Sequence, residues 1–72
     1  MSLPSEACIK RLRHRYPAGC RVVLIKMDDP MAPPIGTLGT VIGLDDTGSL
    51  LVDWDNGSCL NVIYGVDRVK KL

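Results

Sequence analysis

Between Gly39 and Gly57 the chain reads Gly-Thr-Val-Ile-Gly-Leu-Asp-Asp-Thr-Gly-Ser-Leu-Leu-Val-Asp-Trp-Asp-Asn-Gly, two apolar runs broken by turn residues at close intervals. No other feature restricts the fold as strongly. Asn56-Gly57 between strand-like residues predicts a hairpin with a type I′ turn, which needs positive φ at both central positions. Asp45-Asp46-Thr47-Gly48 predicts an earlier reversal of the same chain. Leu50, Val52 and Trp54 share one face by strict alternation, with Leu51 and Asp53 on the other. Short strands joined by tight turns make this an all-β chain: a small barrel of about five strands.

The remaining segments fit around that centre. Arg21-Val22-Val23-Leu24-Ile25-Lys26-Met27 is a β-rich first strand,. Thr40 to Leu44 is the second strand, Leu50 to Trp54 the third, Cys59 to Ile63 the fourth and Val66 to Val69 a short fifth. Asp28 to Leu38 carries Pro30, Pro33, Pro34 and Gly36. Prolines lack an amide donor and exclude a central strand, so this is a long, stiff loop. Ahead of the barrel, Cys8, Ile9, Leu12 and Tyr16 fall three and four apart and predict a short helix over Ser5 to His14. Ser2 or Ser5 caps it, Pro4 suits its first turn, and Tyr16-Pro17 ends it. Residues 1–16 form the helical arm and 17–72 the barrel, one domain in all.

The chain's 72 residues leave little room for a deep catalytic cleft beside a core,. No apolar run approaches a membrane span and no signal segment opens the chain, so the expected location is cytoplasmic. Cys8, Cys20 and Cys59 cannot all pair within one chain, and reduced thiols fit that location,. Together with His14 they would make a zinc-type ligand set. Cys8 and His14, however, lie about 240° apart around a helix and point to different sides.

Charge is distributed unevenly although the net is +1. Lys10, Arg11, Arg13, Arg15, Arg21 and Lys26 face Glu6 alone in the first part. From residue 28 to 67 there are seven aspartates and no lysine or arginine, and Arg68, Lys70 and Lys71 close the chain. Such asymmetry bears on partners.

Tyr16-Pro17-Ala18-Gly19-Cys20-Arg21-Val22, Lys26-Met27-Asp28-Asp29-Pro30, Ala32-Pro33-Pro34-Ile35-Gly36-Thr37 and the Gly-Thr-Val and Val-Asp-Trp-Asp-Asn-Gly-Ser blocks resemble a small bacterial and phage family of unknown function met on mobile elements. That resemblance spans nearly the whole chain and brings no activity with it. Gly39-Thr40-Val41 with Val52 to Ser58 is also similar, more distantly, to the SH3-like repeats of Mind-bomb-type ubiquitin ligases, which bind peptide segments of their partners. The resemblance implies an SH3-like small barrel.

Four sets of residues compete for a functional role. Met31, Pro33, Pro34 and Ile35, with Tyr64 beside them, offer a proline-stiffened apolar surface for a protein or peptide, since a preorganised loop loses less entropy on docking. The rival role for Met31 or Ile35 is to cap one end of the barrel. Lys10, Arg11, Arg13 and Arg15 with Arg68, Lys70 and Lys71 could grip phosphates of a nucleic acid. Their rival role is a solvated face or a helix held against the acidic barrel. Trp54 could stack a ligand, but its alternation with Val52 and Leu50 in a chain without phenylalanine marks it as core, with its indole N–H on a backbone carbonyl. The paired aspartates are explained by turns, and no nucleophile–base–orienter set or calcium loop is present. The expectation is a non-enzymatic protein- or peptide-binding accessory module with no cofactor and no metal. Nucleic-acid binding is the alternative, and homo-oligomerisation stays open.

Overall fold

The computed structural model describes residues 5–63 and 65–72. Helix α1 (Glu6–Arg15) precedes four strands, β1 (Arg21–Lys26), β2 (Leu38–Leu44), β3 (Leu50–Trp54) and β4 (Arg68–Lys71). The strands form one antiparallel sheet in the order β3-β2-β1-β4. Ser5 caps α1, its side chain accepting from the Cys8 amide at 3.2 Å,. Glu6 lies in the first turn and Arg13, His14 and Arg15 in the last, where each suits the helix dipole,. The expectations placed on Ser2 and Pro4 fall outside the described residues.

The core follows the alternation of the strands. Val22 and Leu24 of β1, Val41 of β2, and Leu50, Val52 and Trp54 of β3 are buried together with Met27 and Val62. Trp54 is 1 % exposed and sits opposite Gly39 in the β2–β3 register. A Cβ at Gly39 would stand 2.7 Å from both Trp54 Cε3 and Val52 Cγ1, so the indole occupies space that only a glycine leaves. Around this centre Tyr16, Cys20, Ala32, Leu44, Leu60 and Val69 are half-buried.

Both reversals in the Gly39–Gly57 stretch use one device, and it is not the type I′ turn. Asn56 does not have positive φ, whereas Gly57 has φ 90°. The Gly57 amide donates to the Trp54 carbonyl at 3.0 Å and the Trp54 amide to the Ser58 carbonyl at 3.2 Å. That is a three-residue connection, a type I turn followed by a left-handed glycine. Asp45 to Ser49 repeats it, with Gly48 at φ 85° and matching bonds of 3.1 and 3.0 Å. A side chain bonds back into each turn from a different position: Asn56 Oδ1 accepts from the Ser58 amide, and Asp45 Oδ1 from the amides of Thr47 and Ser49. These bonds stabilise a right-handed turn at Asn56 and remove the need for positive φ there.

The expected fourth strand, Cys59 to Ile63, forms only in part. Leu50 and Val62 exchange two backbone bonds of 2.8 and 2.9 Å, in the register set by the Trp54–Ser58 pair. The intervening pair, Val52 and Leu60, is not made, because the Leu60 carbonyl accepts the Trp54 indole N–H at 2.8 Å instead. Satisfying the buried indole thus opens the ladder in its middle. The last strand runs over Arg68–Lys71 instead of Val66 to Val69, and β1 ends at Lys26 with Met27 still buried. Among the described residues the sheet does not close on itself, so the structure is a mostly-β fold with a four-stranded open sheet and one short helix.

Candidate functional site

No residue of α1 is fully buried: Cys8, Ile9 and Leu12 are half-covered and the cations fully outward. The helix touches the sheet only at β2. It therefore stands apart from β4 and leaves a cleft of about 760 Å³ between them. Leu12, Arg15 and Tyr16 form one wall, Ile25 and Lys26 lie on the adjoining strand, and Val66, Arg68 and Val69 stand opposite. Ile25 is 45 % exposed and Val66 59 %, large apolar side chains left uncovered in a concave setting. Arg15, Lys26 and Arg68 put three cations on the rim against the single carboxylate Asp67. Asp67 is already engaged, its Oδ2 accepting from the Ile63 amide at 2.9 Å.

Among the described residues the cations of α1 form no ion pair with a carboxylate; the only ion pairs are Arg21–Asp55 and the looser Lys26–Asp28 contact at 4.0 Å. Arg15 instead places its guanidinium carbon 5.4 Å from the Tyr16 ring centroid, within cation–π range,. The basic helix is therefore not neutralised by the acidic turns of its own chain. The structure brings Arg15 and Arg68, from opposite ends of the sequence, into one cleft. Lys10, Arg11, Arg13, Lys70 and Lys71 are exposed but lie outside its lining.

The proline loop is divided. Met31 and Ile35 are 76 % and 62 % exposed, and Pro34 is exposed, but Pro33 is buried and Ala32 packs against the core. Pro33 is thus removed from the expected partner surface. The residues that fold inward are Ala32 and Pro33, in place of Met31 or Ile35. Asp29 pins the bend by accepting from the Met31 amide at 2.8 Å, and Gly36 and Thr37 bond back to Leu24. None of Met31, Pro34 and Ile35 lines the cleft. Tyr64, expected beside this loop, lies outside the described residues.

The outer face of the sheet carries one link that the sequence reading missed. Arg21, out of phase with buried Val22 and Leu24, bonds the Thr40 hydroxyl at 2.8 Å and forks onto both oxygens of Asp55 at 2.8 and 2.5 Å. The bond from Arg21 holds the Asp55 carboxyl below the usual range, and the guanidinium is pushed up in turn. Asp45 is also lowered, first by the Thr47 hydroxyl and then by the Ser49 amide. These carboxylates have structural partners. Among the described residues no three His, Cys, Asp or Glu side chains gather as a metal site requires. Cys8 and Cys20 are half-buried and Cys59 is exposed, all three as free thiols.

Fold and site together define a small mostly-β protein with a helical arm and a cleft that mixes exposed apolar side chains with cations. Within that class its family is settled by sequence: the model of the family described as domain of unknown function (DUF4314) matches residues 5–72, and the chain belongs to that family. No curated protein and no solved structure matches it. No helix among the described residues is long and apolar enough to cross a membrane.

Proposed function

We propose that this protein is a non-enzymatic protein- or peptide-binding accessory module of a bacterium or its mobile element, and that it docks its partner in the cleft between α1 and β4. The observation that carries the reading is the cleft itself, a concave surface where Ile25 and Val66 stay exposed beside half-buried Leu12 and Tyr16. Uncovered apolar area in a rimmed depression is the usual mark of an interaction surface. The exposed tip of the proline loop, Met31, Pro34 and Ile35, lies outside the cleft lining, which makes it the lesser docking surface. An SH3-like barrel is the architecture we favour. The Leu50–Val62 bridge places a fifth segment beside β3, extending the order to five neighbours with the incomplete fourth strand at one end.

Affinity capture from the native host, followed by mass spectrometry, tests the reading when wild type is compared with two variants. Val66→Asp in the cleft should abolish capture while circular dichroism stays native. Met31→Asp with Ile35→Asp should retain it. Capture indifferent to Val66→Asp refutes the cleft. Nucleic-acid binding is the second reading, favoured by the convergence of Arg15 and Arg68. It requires an affinity that falls steeply with salt on a log–log plot, and no binding at low salt ends it.

A further inference from the structure

We propose that the cleft takes an extended acidic peptide, which adds to the sheet as a strand along the free edge of β4; this rests on the docking reading above. In the order β3-β2-β1-β4, β4 is terminal, and among the described residues no segment pairs with its outer side. The Leu72 amide donates to Arg21 on β1 at 3.0 Å. Backbone groups alternate along a strand, so the amides and carbonyls of Val69 and Lys71 face the other way, toward the open edge. They are the hydrogen-bonding template that edge strands present to another chain.

The side chains of that edge decide what can pair with it. Arg68, Lys70 and Lys71 are all exposed cations, and Arg15 and Lys26 stand on the cleft rim nearby. Lysine on an edge is a common guard against unwanted pairing. Here it disfavours the β4 edge of a second copy, which would set like charges directly opposite one another. The same charges favour a strand with carboxylates facing Arg68 and Lys70. On the other face Val69 is half-buried, and Ile25 and Val66 are exposed apolar side chains of the cleft, so aliphatic residues suit the alternate positions. The ligand is therefore a segment alternating acidic and aliphatic side chains. Four residues of β4 span about 13 Å, enough for a short strand and no more,.

The probe is a capped seven-residue peptide alternating valine with glutamate, titrated into isotope-labelled full-length protein at low salt. We expect amide exchange at Val69 and Lys71 to slow at least tenfold, and shifts at Ile25 and Val66. The same peptide methylated on alternate amide nitrogens should lose at least tenfold in affinity, as should the Arg68→Glu, Lys70→Glu variant with the unmodified peptide. That variant should in turn bind the valine–lysine peptide. Peptide shifts at Ile25 and Val66 without protection of Val69 and Lys71 would overturn strand addition while leaving the docking cleft intact. No binding by the acidic peptide, with host-partner capture still lost on Val66→Asp, would overturn the acidic chemistry alone. Tighter binding of a single-stranded oligonucleotide than of the peptide at the same residues would overturn the proposal in favour of a phosphate ligand, and protection of Val69 and Lys71 by protein concentration alone would do so in favour of a second copy.

Discussion

Gly39→Ala isolates the contact on which the core is arranged. The added Cβ would meet Trp54 Cε3 and Val52 Cγ1 at 2.7 Å and the Asp53 carbonyl oxygen at 3.2 Å. Trp54 and Val52 are 1 % and 3 % exposed, so neither can swing toward solvent. Overpacking a closed core costs about 1–3 kcal/mol, and the loss of unfolded-state freedom from glycine to alanine returns about 0.4–1 kcal/mol. A net loss of about 1–2 kcal/mol lowers the melting temperature by roughly 5–15 °C in a domain of this size. Gly43→Ala is the internal control on the same strand. Its Cβ would lie 3.6 Å from Leu51 Cδ1, an ordinary contact, and it should be neutral or slightly stabilising. Thermal and urea unfolding of the pair, monitored by tryptophan fluorescence, reads the difference directly. If Gly39→Ala melts with wild type or above it, the close approach of indole to backbone is wrong, and with it the packing described for β2 and β3.

Three further outcomes follow from the same structure. Trp54→Phe removes the donor to the Leu60 carbonyl and part of the core volume; a loss of about 1–3 kcal/mol is expected, with faster amide exchange at Leu50 and Val62 as the 58–62 segment loosens. Gly57→Ala forces a side chain to adopt φ 90° and should cost about 1–2 kcal/mol by denaturant unfolding,, whereas Asn56→Asp keeps the acceptor for Ser58 and should be near neutral. Asp45 and Asp55 are both held below the ordinary carboxylate range, so the stability they contribute is complete above the unfolded aspartate value of about 3.9 and is lost as pH falls through their lower folded values,. The double variant Asp45→Asn, Asp55→Asn should flatten the acid limb of the melting curve; an unchanged limb would assign it to other groups.

Local chemistry made the strands legible. Strict alternation at Leu50, Val52 and Trp54 identified the inward face, and Tyr16-Pro17 and Ser5 bounded the helix, because each signal acts over a few residues. Cys59 to Ile63 reads equally well as a strand, yet its ladder is interrupted by a hydrogen bond from a side chain on a different strand, Trp54. Nothing within the segment announces that. Pro33 likewise sits in a run whose exposed and buried members are indistinguishable by type, and only the bend pinned by Asp29 sorts them. The Asn56-Gly57 reversal was legible as a place and misread as a geometry, since side-chain capping stabilises a type I turn in competition with type I′.

The sequence by itself determined the β-rich class, the turn positions, the helix ends, the core role of Trp54 and the separation of basic termini from an acidic middle, all of which depend on neighbours within a few positions. Tertiary structure alone decided that Arg15 and Arg68 share one cleft, that Arg21 spends its charge on Asp55 across the sheet, and that β4 keeps an open edge among the described residues. Those facts join residues far apart along the chain, and their pairing is set by strand order and register, which short-range propensities do not encode.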